Sequence, residues 1–314
     1  MEKTLKQLFD FFDIEDENGV SNLEKVRKYQ KILRRVKTTD KSKSVEAVEN
    51  DAAAGDIPSG IVIENGKIIG LGIHIFNEDV YPLKSFEITL RNCGLIGALD
   101  VSDCMDMVFL DLYHNKITSV SSANMPSMRI FGVQDNLLET IDVSEMPSCQ
   151  GIDAGMNRLK EIDVSHNPEL VELYINDNAF TEIELSQNPK LKYFYCHNNR
   201  IVVLDTRANP LLRHLNATGN PMKSIRSLAP QREEKLPLEL YAGDGGCVGL
   251  KFNPVYNAQW KETGEWQQSY YAYPDDGFCF DGWYENGEKV SGEETWIDEY
   301  GTSRILKAKF IIIL

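Results

Sequence analysis

Apolar residues in the middle of this chain return every 21 positions. The count runs from six asparagines, Asn115, Asn136, Asn157, Asn178, Asn199 and Asn220. Five residues before each stand Leu110, Phe131, Ile152, Leu173, Phe194 and Leu215; three before stand Leu112, Val133, Ala154, Ile175, Cys196 and Ala217. Two after come Ile117, Leu138, Leu159, Phe180, Ile201 and Met222, and five after come Val120, Ile141, Ile162, Ile183, Leu204 and Ile225. Apolar residues either side of a polar one make a short strand with one buried side. A single strand of that kind buries too little alone, so successive coils must stack. The prediction is a β-solenoid whose strands form a parallel sheet, neighbours about 4.8 Å apart.

The asparagine ladder has a physical reason. After each strand the chain turns inward and its peptide groups need partners. An amide side chain both donates and accepts, so it can serve the turn of its own coil and of the next. The Asn-Pro pairs at 167–168, 188–189 and 209–210 are expected to start the return turn. Cys93, with Ile88, Leu90 and Leu95 around it, fits the ladder position of a first, irregular coil.

The consensus L-x-x-L-x-L-x-x-N-x-L-x-x-I-D-V-S-x-N-P resembles the leucine-rich repeat, and its 21-residue form is similar to that of internalin-J-type bacterial surface proteins. The resemblance implies a horseshoe with a ligand-binding concave sheet. On that face fall the residues six, four and two positions before each asparagine. The first row is Phe109, Ile130, Gly151, Glu172, Tyr193 and His214; the second is Asp111, Gly132, Asp153, Tyr174, Tyr195 and Asn216; the third is Tyr113, Gln134, Gly155, Asn176, His197 and Thr218. Asp111, Tyr113, Glu172, Tyr174, Asn176, Tyr193, Tyr195, His197 and His214 are the candidate binding residues. Tyrosine offers large contact area with a polar tip, which suits recognition; aromatic residues also suit any strand, and both readings stand at this point.

The flanks cap the array. Residues 3–12 and 22–36 carry helical apolar spacing, through Leu5, Leu8 and Phe12 and then Leu23, Val26, Tyr29 and Leu33. Residues 37–58 read as a polar linker. Asn65-Gly66 between two apolar runs predicts a hairpin, and Gly66–Ile73 resembles the strand that opens many leucine-rich arrays. Beyond residue 236 the period stops and aromatic residues thicken. Ala272-Tyr273-Pro274, Gly277 to Tyr284 and Ala308-Lys309-Phe310 resemble the internalin-B-type (Listeria–Bacteroides) repeat, a small β domain. Three parts result: a helix-and-hairpin cap over 1–80, a repeat array over 81–230 and a β domain over 236–314.

Composition narrows the partners. Of 314 residues, 42% are hydrophobic, which suits a folded protein, and the net charge is −15. That charge repels nucleic acid and anionic lipid. No apolar run is long enough for a membrane span. Met1 to Thr4 lead toward an amphipathic helix and not an apolar export region, whereas the family resemblance implies a secreted or surface protein, so localisation stays open. The expected partner is a protein or a cell-surface glycan.

Candidate chemistry is thin. Phosphate-loop, H-E-x-x-H, C-x-x-C and G-x-S-x-G motifs are absent, and no cofactor is expected. Asp13 to Glu24 match parts of a calcium loop, but Asn18 stands where that loop needs glycine; the alternative is an acidic turn capped by Ser21 or Asn22. A hydrolase would need paired carboxylates. Asp111 and Asp153 are two coils apart, about 10 Å by strand spacing, beyond the separation of inverting glycosidases. The face is also expected to be flat and wet, leaving little desolvation to tune an acid. The reading is a non-enzymatic binding module; the alternative is a cell-envelope scaffold without a specific ligand.

Overall fold

The computed structural model describes residues 10–26, 61–64, 67–71, 90–228, 237–256, 261–298 and 304–313. The chain forms two compact units, Met1–Arg158 and Leu159–Leu314.

The first unit opens with β1 (Ile61–Glu64) and β2 (Lys67–Leu71), an antiparallel hairpin in which Glu64 pairs with Lys67. The predicted hairpin is therefore present, its Asn65-Gly66 turn lying outside the described residues. β3 (Ile96–Asp100), β4 (Phe109–Asp111), β5 (Lys116–Ser121), β6 (Ile130–Gly132) and β7 (Gly151–Asp153) follow. Strands β2, β4, β6 and β7 run parallel, with Phe109, Ile130 and Gly151 in one register row. On the return side β3 pairs in parallel with β5.

Residues 10–12 and 22–26 are helical; the rest of both predicted helices, the 37–58 linker and Ile88 lie outside the described residues. Ser21 is the N-cap: its Oγ accepts the Glu24 N–H, and Glu24 Oε2 accepts the Ser21 N–H, a reciprocal capping box. Asp16 Oδ1 accepts the N–H groups of Asn18 and Val20. The acidic segment is thus built as a turn. Buried Asn22 ties it to the array, donating to the carbonyls of Phe11 and Ile96 and accepting the Ile96 N–H.

In the second unit β8 (Glu172–Tyr174), β9 (Tyr193–Tyr195) and β11 (His214–Asn216) are parallel strands in strict register. Their return-side counterparts are β10 (Val203–Asp205) and β12 (Ser224–Leu228), also parallel. Seven further strands follow: β13 (Pro237–Ala242), β14 (Gly246–Tyr256), β15 (Glu262–Pro274), β16 (Phe278–Glu285), β17 (Glu288–Ser291), β18 (Thr295–Asp298) and β19 (Ile305–Ile312). β14 adds antiparallel to β11, pairing Leu215 with Phe252, and β15 and β18 extend that sheet. β13 adds antiparallel to β12, and β19, β16 and β17 extend the other. Both sheets of the last coil therefore run on into the C-terminal segment, which covers the end of the core as an open solenoid requires. Its own core is aromatic. Trp283 and Tyr270 are fully buried with ring centroids 6.0 Å apart, and the indole N–H donates to the Glu293 carbonyl. Cys247 and Cys279 are free thiols.

The ladder asparagines sit at the seam between coils. Asn136 donates to the carbonyls of Val133 in its own coil and Leu112 in the preceding one, while its Oδ1 accepts the Ile117 N–H. Asn199 repeats the pattern with Cys196, Ile175 and the Phe180 N–H. Cys93, in the irregular coil, offers its N–H to Asn115 Oδ1 and its thiol to the Arg91 carbonyl.

Two further rows were not read from the sequence. The residue before each ladder asparagine is left-handed: His114 (φ 56°), Asp135 (54°), Met156 (53°), Asp177 (54°), Asn198 (56°) and Gly219 (66°). This kink ends each strand after three residues and turns the chain inward. The second row is another asparagine ladder. Asn167, Asn188 and Asn209 start the expected return turns, their carbonyls accepting the N–H groups of Leu170, Leu191 and Leu212, and their side chains are fully buried. Asn188 donates to the carbonyls of Val164 and Asn167, and Asn209 to those of Leu185 and Asn188. The matching positions of the first unit are Cys104, Met125 and Met146, all buried, so that row changes from apolar packing to amide bonding along the array.

Candidate functional site

Alternation along each strand sends the residues between core positions to the other face of the sheet. In the second unit Leu173, Phe194 and Leu215 are buried. The opposite face carries Glu172, Tyr193 and His214 in one row and Tyr174, Tyr195 and Asn216 in the next, as the strand register dictates. The Tyr174 and Tyr195 rings meet edge to face at 5.2 Å, and the Tyr193 and His214 rings stack at 4.3 Å. His197 lies edge-on to Tyr195 at 6.3 Å.

The face is not the flat, wet surface expected from the pattern. Glu172 is 2% exposed and His214 6%; Tyr174, Tyr193, Tyr195 and His197 are half-buried. The reason is the packing of large rings on three adjacent short strands, together with a residue from the C-terminal segment. Tyr256, at the end of β14, places its hydroxyl 3.3 Å from His214 Nε2. Burial pushes the Glu172 carboxyl up to about 7, against a small opposing effect of the Tyr174 hydroxyl 3.5 Å away. Burial, helped by the Arg213 charge, pushes His214 down to about 4. It also raises the Tyr195 phenol, with the Tyr256 phenol and Glu172 adding to the effect. His197 is lowered by burial although Asp177 lies 3.7 Å away, and its Nδ1 has no partner among the described residues.

Asn176 is buried and donates to Asp177 Oδ2 at 2.7 Å; Asp177 also accepts from Asn198. These polar groups hold one another along the margin of the tyrosine cluster. In the first unit Asp111 is 1% exposed. Its carboxylate accepts from Arg91 Nε at 2.7 Å and from the Tyr113 N–H at 3.0 Å, and the Arg91 guanidinium lies 5.0 Å over the Tyr113 ring. Asp111 and Tyr113 thus form a closed knot with Arg91.

Sequence reasoning missed Tyr256, Lys251, whose charge helps lower His197, and Arg91. The first two come from a strand outside the 21-residue period, whose register against β11 carries no repeat signal. Arg91 sits two residues before Cys93, in the coil with irregular spacing. A shallow hollow on the return side, lined by Glu182, Ile183, Val202, Val203, Asp205 and Arg207, also went unread.

Burial raises the Glu172 carboxyl and, against the opposing charge of Arg91, the Asp111 carboxyl as well, which overturns the expectation of little desolvation to tune an acid on this face. The hydrogen-bond partner of Glu172 is the Tyr174 hydroxyl.

No protein-family model and no curated protein matches the chain. Among solved structures it is similar to a leucine-rich-repeat protein of Leptospira interrogans, at 20% identity and TM-score 0.36, over 42% of this chain and 39% of that one. It is similar to the LRIM1/APL1C complex at 20% identity and TM-score 0.35, over 44% and 29%. The functional domain of InlJ from Listeria monocytogenes, described as including a cysteine ladder, matches at 14% identity and TM-score 0.28, over 60% and 50%. The chain thus spans half or less of the length of these structures. Stacked 21-residue coils, three-residue parallel strands and a buried asparagine seam make the fold of this chain a leucine-rich-repeat solenoid.

Proposed function

We propose that the chain is a non-enzymatic binding module that takes a protein or cell-surface glycan on the tyrosine-bearing face of the repeat sheet. The observation that carries this reading is the clustering of Tyr174, Tyr193, Tyr195, His197 and buried His214 on three adjacent strands, with rings in mutual contact and the three tyrosines and His197 still partly open to solvent. Rigid aromatic groups with polar tips lose little side-chain entropy on contact and supply large area, which is how binding energy concentrates. The repeat scaffold supports the reading in a general way, since stacked coils offer a broad continuous surface. The net charge of −15 favours a neutral or basic partner.

The test is a Tyr174→Ala/Tyr195→Ala double variant, measured by calorimetry against a partner retrieved with the wild-type chain. The affinity should fall about thirtyfold or more, the size of a central aromatic anchor, with the thermal melt close to wild type. An unchanged affinity moves the site elsewhere. A chain for which no partner depends on this face would instead be a cell-envelope scaffold.

A further inference from the structure

Two buried carboxylates elsewhere in the chain, Asp111 and Asp298, are each paired with an arginine lying over an aromatic ring. Asp111 is paired with Arg91 at 2.7 Å, and that guanidinium covers Tyr113 at 5.0 Å. Asp298 is paired with Arg304 at 2.9 Å, and that guanidinium covers Trp296 at 4.9 Å. Both acids are nearly inaccessible, at 1% and 5% exposure. Two unrelated places in the fold thus use one arrangement of buried acid, ring and guanidinium.

Glu172 supplies the same acid without the cation. It is as buried as Asp111, and its rings are at hand: Tyr174 on its own strand and Tyr193 and Tyr195 on the next. Among the described residues no lysine or arginine pairs with it; its hydrogen bond is the 3.5 Å contact from the Tyr174 hydroxyl. The nearby cations are occupied or displaced from it. Arg213 is paired with Glu262 and lies 5.7 Å over Trp266, and the charge of Lys251 bears on His197. A buried carboxylate left without a counter-charge is costly, and one partner cation removes that cost.

We propose that the Glu172–Tyr174–Tyr195 cluster is an arginine-binding site, which receives a guanidinium group from a basic segment of a partner protein. Guanidinium fits better than ammonium, because it stacks flat on a tyrosine ring while its N–H fork reaches a carboxylate. The incoming group replaces the long Tyr174 contact with a charge-assisted bond. This rests on the reading of the tyrosine face as the binding surface and names what that surface recognises. Uptake of the cation also expels the proton that burial holds on Glu172 up to about 7, so affinity rises as pH climbs toward that value. The other titratable and charged groups around Glu172 and along the face are the Tyr174, Tyr193, Tyr195 and Tyr256 phenols, His214 with the Arg213 charge, His197 with Asp177 3.7 Å away, and Lys251. The Tyr195 and Tyr256 phenols are shifted upward, and His214 is held neutral down to about 4.

The probe is the blocked tripeptide acetyl-Gly-Arg-Gly-amide, followed through tyrosine ring shifts by NMR on the full chain. Its neutral isostere with citrulline in place of arginine is the control. Saturable binding of the arginine peptide is expected, weakened at least about tenfold by citrulline and by Glu172→Gln, the size of one lost charge contact. Tyr195→Phe, which keeps the ring, should bind within about threefold of wild type, while Tyr195→Leu should lose about tenfold. Equal binding of the citrulline peptide, indifference to Glu172→Gln, or no saturation would each overturn the proposal. If the peptide fails while a protein partner still depends on Tyr174 and Tyr195, the binding face stands and only the arginine assignment falls.

Discussion

Met156 is the one apolar side chain in the row of left-handed residues, where its neighbours along the array are His114, Asp135, Asp177, Asn198 and Gly219. Asparagine and aspartate tolerate that conformation because their short polar side chains bond locally, and glycine has no Cβ to clash. Met156 has neither excuse, and its side chain is 43% exposed, so no packing compensates. Met156→Asn should therefore stabilise the chain by about 1 kcal/mol, read as a higher urea midpoint at unchanged slope. A lowered midpoint would mean that Met156 packs against something that offsets the strain. The row also shows what a sequence hides. Asp and Asn before the ladder position were visible as polar turn residues. Only backbone geometry shows that His, Met and Gly hold the same angle.

At the scale of the coil, the asparagines are what join one turn to the next. Asn199 serves the carbonyls of Cys196 and Ile175 and the Phe180 N–H, so Asn199→Ala strips three buried groups at once. The expected loss is about 1–3 kcal/mol, the cost of unpaired buried polar groups, measured by chemical denaturation. Asn199→Asp should do no better, because a carboxylate accepts but cannot donate. An unchanged midpoint would remove the seam from the account. Much of this element was legible. The 21-residue period named the core rows and the ladder, because both are side-chain patterns repeated six times. The second ladder was legible in principle: Asn167, Asn188 and Asn209 keep the same spacing. The following prolines pointed only to the return turn that starts there and not to the buried side chains, and in the first unit Cys104, Met125 and Met146 break the polar pattern. The addition of β13 and β14 to the last coil had no such signal, since strand partners outside a repeat are chosen by register that aromatic composition does not encode.

For the molecule as a whole, the candidate face is an electrostatic compromise. The register places Glu172, Tyr193 and His214 side by side, and that row could be read from alternation alone. Its dryness could not, because burial there depends on ring packing and on Tyr256 arriving from β14. The consequence is a pH dependence whose sign follows from each shift. His214, lowered from its usual 6.5 to about 4, contributes stability that is present above 6.5 and lost as pH falls toward 4. Glu172, raised from 4.5 to about 7, contributes stability that is present below 4.5 and lost as pH rises through 7. The two oppose one another between these values, so the wild-type profile alone separates neither.

A difference measurement isolates the carboxylate on which the binding face turns. Denaturation free energies of wild type and Glu172→Gln are compared from pH 4.5 to pH 8, a range over which glutamine carries no charge. The two proteins should lie within about 1 kcal/mol of each other near pH 4.5, where the folded carboxyl is neutral. The glutamine variant should then gain on wild type as pH rises through 7, by about 3 kcal/mol at pH 8. A difference that stays constant across the range would mean that Glu172 is not a desolvated, unpaired acid, and would contradict the account of this face.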